Sequence, residues 1–442
     1  MSPGGRAGWV GTWAASASGT DPGYAGRTVR CAVRASVGGR AVRVRLTNAL
    51  GTGPLRLASV TVALGVPGTA AAVAGTVRAL TFGGSPPVVV PAGGQVWSDP
   101  VALAVPDGGD LLVSVFTGEW TGPVTHHEHA HQTSFLSGAG DHTADESGAV
   151  FTATIASWPH VCGVDVLGEA VGAVVAFGDS ITEGTCSTPD AHRRWPDHLA
   201  RRLIAEPGPT RLGVLNAGIS GNRLLTSVTS PNALSRLDQD VLSAPGVRAV
   251  VVLLGINDII GEPRHRDPAP VVAALGQVAA RVRARGLVVV GGTLVPCGGA
   301  ENHTAELEGV RLAVNEFVRH GGAFDAVVDF DAALRDPAAA GRMRPRYDSG
   351  DHLHPGDAGY RAMAEAVDLA VLAGSPGGVG ADAAVDDEVV AGDPGGERGG
   401  QEHAGVGDVG GGAQPGQRRG GPPAVDAGRP VGFQTGSVDQ PG

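Results

Sequence analysis

The order of apolar and polar residues divides the chain into three textures. From Trp9 to about Gly168, short valine-rich runs such as "TVRCAVRASV", "AVRVRLTNAL", "LASVTVAL", "PPVVVPA" and "LLVSVFT" often alternate apolar with polar positions and are separated by Gly, Pro and Asp. That period of two between turn formers predicts short strands and, together, a β-sandwich. From about Ala170 to Gly374 the alternation stops. Here "AVVAF", "GVLNAG", "VRAVVVLLG", "GLVVVGGTLVP" and "DAVVDF" are near-continuous apolar runs, separated by helical stretches such as "RRWPDHLARRLIAE" and "PVVAALGQVAARVRARG". Strands buried on both faces and alternating with helices predict an α/β fold with a parallel sheet. After Gly374 the sequence is glycine-rich, with too few aromatic or branched apolar residues to offset its ordering entropy, and disorder is expected there. The expected organisation is a β-sandwich-like domain over 1–168, an α/β domain over 169–374 and a disordered tail over 375–442.

Composition narrows the chemistry. Hydrophobic residues make up 42% and charged residues 17%, with no stretch apolar enough to cross a bilayer. The formal net charge of -11 argues against a nucleic-acid partner, which needs a clustered basic surface. The chain contains no lysine, which removes P-loop, Schiff-base and Ser-Lys chemistry together. Four cysteines, Cys31, Cys162, Cys186 and Cys297, show no C-x-x-C pairing and read as scattered core thiols, so no metal cluster and no cofactor is expected. The N-terminus "MSPGGRAGWVGTWAAS" lacks the apolar region of a secretory signal, so the sequence as written reads as cytoplasmic.

In open α/β sheets ligands bind at the carboxyl ends of the strands. Ser180 follows the first such strand in "GDS", Gly218 follows the second in "NAGISGN", and Asn257 follows the third in "GIND". Near the end of the domain, "DSGDHLHPGDAGY" carries Asp351 and His354. A serine hydroxyl is a weak nucleophile until an imidazole takes its proton, and that imidazole must be oriented by an acceptor on its other nitrogen. His354 and Asp351 suit those roles. The backbone N–H groups of Ser180 and Gly218 and the side-chain amide of Asn257 suit an oxyanion hole, Gly218 allowing close approach of substrate because it has no Cβ.

Plainer readings stand beside these. Ser180 suits a turn, Asn257 and Asp258 a helix cap, and Asp351 the start of a turn. His352 is read as pointing away from the site, Asp348 as a rival orienting acid, and Asp179 as bonding local backbone amides. "HHEHAH" places His127, Glu128 and His131 in the H-E-x-x-H pattern of zinc proteases, but that chemistry needs an amphipathic helix. Gly118, Gly122 and Pro123 stand just upstream, so a solvated His-rich loop is expected.

Ser180, Gly218, Asn257 and His354, in that order and in the contexts "GDS", "NAG", "GIND" and "DHLHP", resemble the four signature blocks of the GDSL/SGNH hydrolase family. The resemblance covers about Ala170 to Gly374. It implies a flavodoxin-like three-layer sandwich and ester hydrolysis, with Ser180 as nucleophile, His354 as base, Asp351 as its partner, and Ser180, Gly218 and Asn257 as oxyanion donors. "WVGTWAAS", "RRWPDHLARRL" and "YDSGDHLHPGDAGYRAMAEAVDLA" resemble the actinobacterial-type branch with an N-terminal β-domain, which includes carbohydrate acetyl esterases linked to xylan breakdown and suggests secretion. With 4% aromatic residues and no spare apolar helix near the motifs, short acyl groups are expected, and the resemblance implies carbohydrate esters as the substrates. A lipase-type acylhydrolase is the alternative. A zinc hydrolase and a non-catalytic carbohydrate-binding protein are the remaining readings.

Overall fold

The computed structural model describes residues 8–119, 122–205 and 211–374. The tail expected over 375–442 lies outside the described residues.

The alternating runs form antiparallel sheets. One joins Trp9–Ala14, Val161–Leu167, Gly39–Thr47 and Val101–Val105 in that order, with Gln95–Trp97 also paired to Gly39–Thr47. The other runs Phe151–Ile155, Ser134–Ala139, Arg27–Arg34, Asp110–Thr117, Ser59–Leu64, Arg78–Ala79. Alternate residues of their strands enter the main core: Val42, Val44 and Leu46 from the first, and Val29, Cys31, Val33, Leu111, Val113 and Val115 from the second. Ala32, Ala63 and Leu112 lie one residue out of phase with these and form a separate small cluster with Phe135, as a period of two requires. A three-stranded sheet of Trp158–Pro159, Val124–His127 and Gly19–Asp21 takes up the histidine-rich stretch.

From Gly172 onward the pairing becomes parallel. Five strands, Gly172–Gly178, Leu212–Gly218, Val247–Leu253, Val288–Gly292 and Ala326–Val328, lie in the order second, first, third, fourth, fifth. This is the flavodoxin-like order, with its switch point beside the first strand. All seven residues of that first strand are buried, which requires cover on both faces. The helix Trp195–Ala205 buries Trp195, Leu199, Ala200 and Leu203, one apolar stripe, and packs on Asp357–Glu365. Ala269–Arg283 packs on Ala305–His320. Among the described residues no helix is long and apolar enough to cross a membrane.

The second strand is one edge of the parallel sheet, and the β-sandwich covers it. Val214 N–H donates to Ser36 Oγ at 2.9 Å, and Gly11 of the first sandwich strand packs against Leu215. An exposed strand edge is thereby removed.

Candidate active site

Register alone brings three of the sequence-derived candidates together. Gly178, at the end of the first parallel strand, pairs with Gly218 on one side and Leu253 on the other. Gly218 therefore ends its strand, and Ser180 and Asn257 stand just beyond the ends of the two strands next in order. Ser180 opens a one-turn helix, Ser180–Glu183, whose cap is Asp179: its Oδ1 accepts the Ile181 N–H at 3.0 Å. Burial pushes the Asp179 carboxyl up to about 7 against that N–H, with the charge of Asp258 adding to the rise.

The fourth candidate arrives from a loop. Residues 348–355 are closed at their base, where Ser349 N–H donates to His354 O at 3.1 Å and Gly356 N–H to Tyr347 O at 2.8 Å. Within the loop Asp351 divides its oxygens. Oδ1 accepts the N–H groups of Leu353 and His354 at 2.9 and 2.8 Å, and Oδ2 faces His354 Nδ1 at 2.6 Å. Partial burial works against the Asp351 charge, but the N–H and imidazole donors outweigh it and hold the carboxyl down to about 2. His354 Nε2 lies 2.8 Å from Ser180 Oγ. Asp348 is engaged elsewhere, its Oδ2 facing His352 Nδ1 at 2.6 Å. The two Asp–His pairs of the loop are thus separate, and only one meets a hydroxyl.

The GDSL-like Lipase/Acylhydrolase family matches residues 176–362, a span that holds all five of these candidates. The α/β region is a GDSL-like lipase/acylhydrolase domain. That domain is accordingly of the GDSL/SGNH ester-hydrolase type. Similar solved structures include a lipase/acylhydrolase from Enterococcus faecalis, 22% identical over 45% of this chain and 93% of that one, TM-score 0.35. An acetylxylan esterase from Geobacillus stearothermophilus is 19% identical over 46% and 95%, TM-score 0.36. A GDSL-like lipase from Bacteroides thetaiotaomicron is 19% identical over 45% and 87%, TM-score 0.35. Comparison with curated proteins gives no match.

In this GDSL-like domain the plainer readings of Asn257 and Asp258 do not describe the geometry. The helix Ile256–Ile260 starts from Gly255 without a side-chain cap. Asn257 instead donates one amide N–H to Asn222 O at 3.1 Å, and Asp258 accepts the N–H groups of Leu224 and Leu225 at 2.9 and 3.1 Å. These bonds tie the loop after the second strand to the end of the third. Gly218 also needs its missing side chain for packing within the fold. A Cβ there would lie 2.2 Å from Glu183 N, so glycine is what lets the Ser180 helix sit against the second strand. The Gly218 N–H donates to Asn216 Oδ1 at 2.9 Å.

The histidine-rich stretch corrects the expectation of a solvated loop. His127 is 5% exposed, ends a strand rather than riding a helix, and stacks on Trp158 with ring centroids 5.5 Å apart. Its Nδ1 faces Ser16 O at 2.8 Å and its Nε2 faces Glu183 Oε1 at 3.2 Å, while His131 Nε2 stands 3.7 Å from Glu183 Oε2. Both His127 nitrogens thus face oxygen atoms, one of a backbone carbonyl and one of a carboxylate. Strand geometry at His127 and the engagement of its ring remove the basis of the H-E-x-x-H zinc reading. Glu183 also accepts the Ser220 N–H at 3.1 Å and the Ser220 hydroxyl. Burial would raise the Glu183 carboxyl, but His127, His131 and Ser220 reverse this and hold it far below the usual carboxylate range.

Arg236 was not among the sequence-derived candidates either. Its buried guanidinium donates to Gly178 O at 2.9 Å, Ala217 O at 2.8 Å and Asn222 Oδ1 at 2.9 Å, and lies 4.4 Å over the Phe177 ring. It clamps the two strand ends that carry Ser180 and Gly218. Pairing between an arginine at 236 and carbonyls at 178 and 217 leaves no local signal.

Proposed function

We propose that Ser180, His354 and Asp351 act as a catalytic triad that hydrolyses carboxylic esters through an acyl-enzyme, and that the preferred substrates are short-acyl, chiefly acetyl, esters of carbohydrates. The observation that carries the catalytic part is the unbroken relay from Ser180 Oγ to His354 Nε2, 2.8 Å, and from His354 Nδ1 to Asp351 Oδ2, 2.6 Å. Ser180 Oγ attacks the ester carbonyl carbon as its proton passes to Nε2. Asp351 stays ionised and holds the imidazolium through Nδ1–H. The proton then goes from Nε2 to the leaving alkoxide, releasing the alcohol and leaving the acyl group on Oγ. Water, activated by the same nitrogen, returns the serine and releases the acid.

The oxyanion is assigned to the Ser180 N–H, the Gly218 N–H and the Asn257 amide. Asn257 has a second amide N–H beyond the one given to Asn222. The Gly218 N–H already has Asn216 as acceptor, so it contributes by sharing or exchanging that bond, which makes Ser180 and Asn257 the principal donors.

One observation supports short acyl groups. Among the described residues the exposed large apolar side chains are Val66, Val73, Val89, Trp97, Val171, Val228, Leu312 and Val327, and only Val228 belongs to a loop that bears a site residue. A long acyl chain needs a continuous apolar trough, which one valine does not make. The organisation proposed with this reading is a β-domain over 1–168 that braces a hydrolase domain over 169–374. The test is kcat/KM across p-nitrophenyl acetate, butyrate, octanoate and palmitate, beside acetylated xylan fragments, in wild type and Ser180→Ala. Fastest turnover of the short esters, abolished in the variant and resistant to chelator, is expected. A maximum at octanoate or beyond would establish the lipase alternative instead.

A further inference from the structure

Cys186 lies three residues past the Ser180 helix. It is the exposed member of the four cysteines, Cys31, Cys162 and Cys297 being buried. Its Sγ lies 3.8 Å from Asp351 Oδ2, which itself lies 2.6 Å from His354 Nδ1. A thiol, a carboxylate oxygen and a ring nitrogen therefore stand within 4.8 Å of one another on the open side of the site.

We propose that Cys186, Asp351 and His354 form a regulatory site for a thiophilic divalent cation, Zn²⁺ or Cd²⁺, whose binding switches hydrolysis off. The switching part rests on the reading of His354 as the base. One sulfur, one nitrogen and one oxygen make a set that selects these ions over Mg²⁺ and Ca²⁺, which prefer oxygen alone. With metal–ligand bonds of about 2.0–2.3 Å, tetrahedral geometry separates sulfur from oxygen by about 3.6 Å and nitrogen from oxygen by about 3.4 Å. The thiol is already in place, and only Oδ2 has to swing off Nδ1. Asp351 has room for that motion because its side chain is 43% exposed, while Oδ1 stays tied to the Leu353 and His354 N–H groups.

The consequence for catalysis follows from proton bookkeeping. Metal–sulfur, metal–oxygen and metal–nitrogen bonds form, the thiol proton leaves to solvent, and the single ring proton of neutral His354 moves from Nδ1 to Nε2. One proton is released per ion and nothing is oxidised or reduced. Nε2–H then faces Ser180 Oγ as a donor and no longer accepts its proton. A second set, Cys297, His303 and Glu308, has comparable spacing, but there the thiol is buried and both Glu308 oxygens are held by the Arg311 guanidinium at 2.8 and 2.6 Å, a charge that repels a cation.

The experiment uses the full chain, a short-acyl ester and buffered free Zn²⁺. Turnover should fall at least tenfold and return with chelator. Cys186→Ser should hydrolyse at the wild-type rate and need at least about 10–100-fold more Zn²⁺ for the same inhibition, since even an outer-shell partner is worth that much affinity. Binding is read separately in Ser180→Ala with Cd²⁺, whose thiolate charge-transfer absorption should saturate at one equivalent and vanish when Cys186→Ser is added. Equal Zn²⁺ sensitivity in wild type and Cys186→Ser, or no thiolate band, overturns the inference. A band in a protein that hydrolyses nothing supports the metal site and counts against the catalytic reading instead.

Discussion

Two histidine–carboxylate pairs flank the same one-turn helix, and they differ in almost everything except chemistry. His354 and Asp351 come from a surface loop, with side chains 13% and 43% exposed, and face the first residue of the helix, Ser180. His127 and Glu183 are 5% and 2% exposed and join the β-sandwich to the last residue of that helix. In the first pair the far ring nitrogen meets a hydroxyl, which is able to give up a proton. In the second it meets a backbone carbonyl, which only accepts. On the proposed reading an imidazole–carboxylate pair is a base where its outer nitrogen meets a weak acid, and a brace where both nitrogens are spent on acceptors.

The largest way to break this contrast is Asp351→Asn. Losing the acceptor that fixes the tautomer should lower kcat by about 10⁴ with the fold intact, whereas Asp348→Asn, beside His352, should leave kcat within a few-fold. Steady-state kinetics of both variants check the assignment, and the reverse order would give the role to Asp348. On the brace, His127→Ala should cost about 3–5 kcal/mol of stability by leaving Glu183 buried without its main partner, and adding Glu183→Gln should recover part of the loss. Denaturant unfolding reads this directly. An unchanged unfolding midpoint would remove the brace.

Asn257→Ala is expected to lower kcat by about 10²–10³ with little change in KM, the usual effect of one lost oxyanion donor. The pH dependence of stability sharpens the comparison further. Glu183 ionises in the folded state far below its ordinary value, so its contribution is complete above the unfolded carboxyl pKa and disappears as pH falls below it. Glu183→Gln should therefore flatten acid unfolding below about pH 4.5. His160 gives the smallest effect. It is fully buried with both ring nitrogens unpaired, and burial lowers it from 6.5 to about 4 although Asp21 opposes the shift. The folded state resists protonating it, so stability should decline from about pH 6.5 toward 4, and His160→Gln should lessen that decline in a thermal-melt series.

How legible the site was in the sequence depended on the range of each contact. Ser180, Gly218 and Asn257 were legible because strand ends carry them to one edge of the sheet whatever the side-chain detail, and Asp351–His354 because three residues separate the pair. The change from alternating to continuous apolar runs likewise marked the change from antiparallel to parallel pairing, which falls between Leu167 and Gly172. His127 with Glu183 and Arg236 with Gly178 are pairings across 56 and 58 residues, formed by folding and not by spacing. The histidine-rich stretch departs from expectation for that reason: Gly118, Gly122 and Pro123 point to a loop, but the buried carboxylate that meets His127 lies in the other sequence texture. At Gly218 the absence of a Cβ also serves a neighbour that spacing does not reveal, the backbone of Glu183.

The most direct test of the central assignment is covalent. A serine-directed organophosphorus probe applied to the wild-type chain, followed by mass spectrometry of the digest, should place one equivalent on Ser180. The label should be absent from Ser180→Ala, slowed in Asp351→Asn and unaffected in Asp348→Asn. Labelling at another serine, or at an equal rate in wild type and Asp351→Asn, would contradict the account.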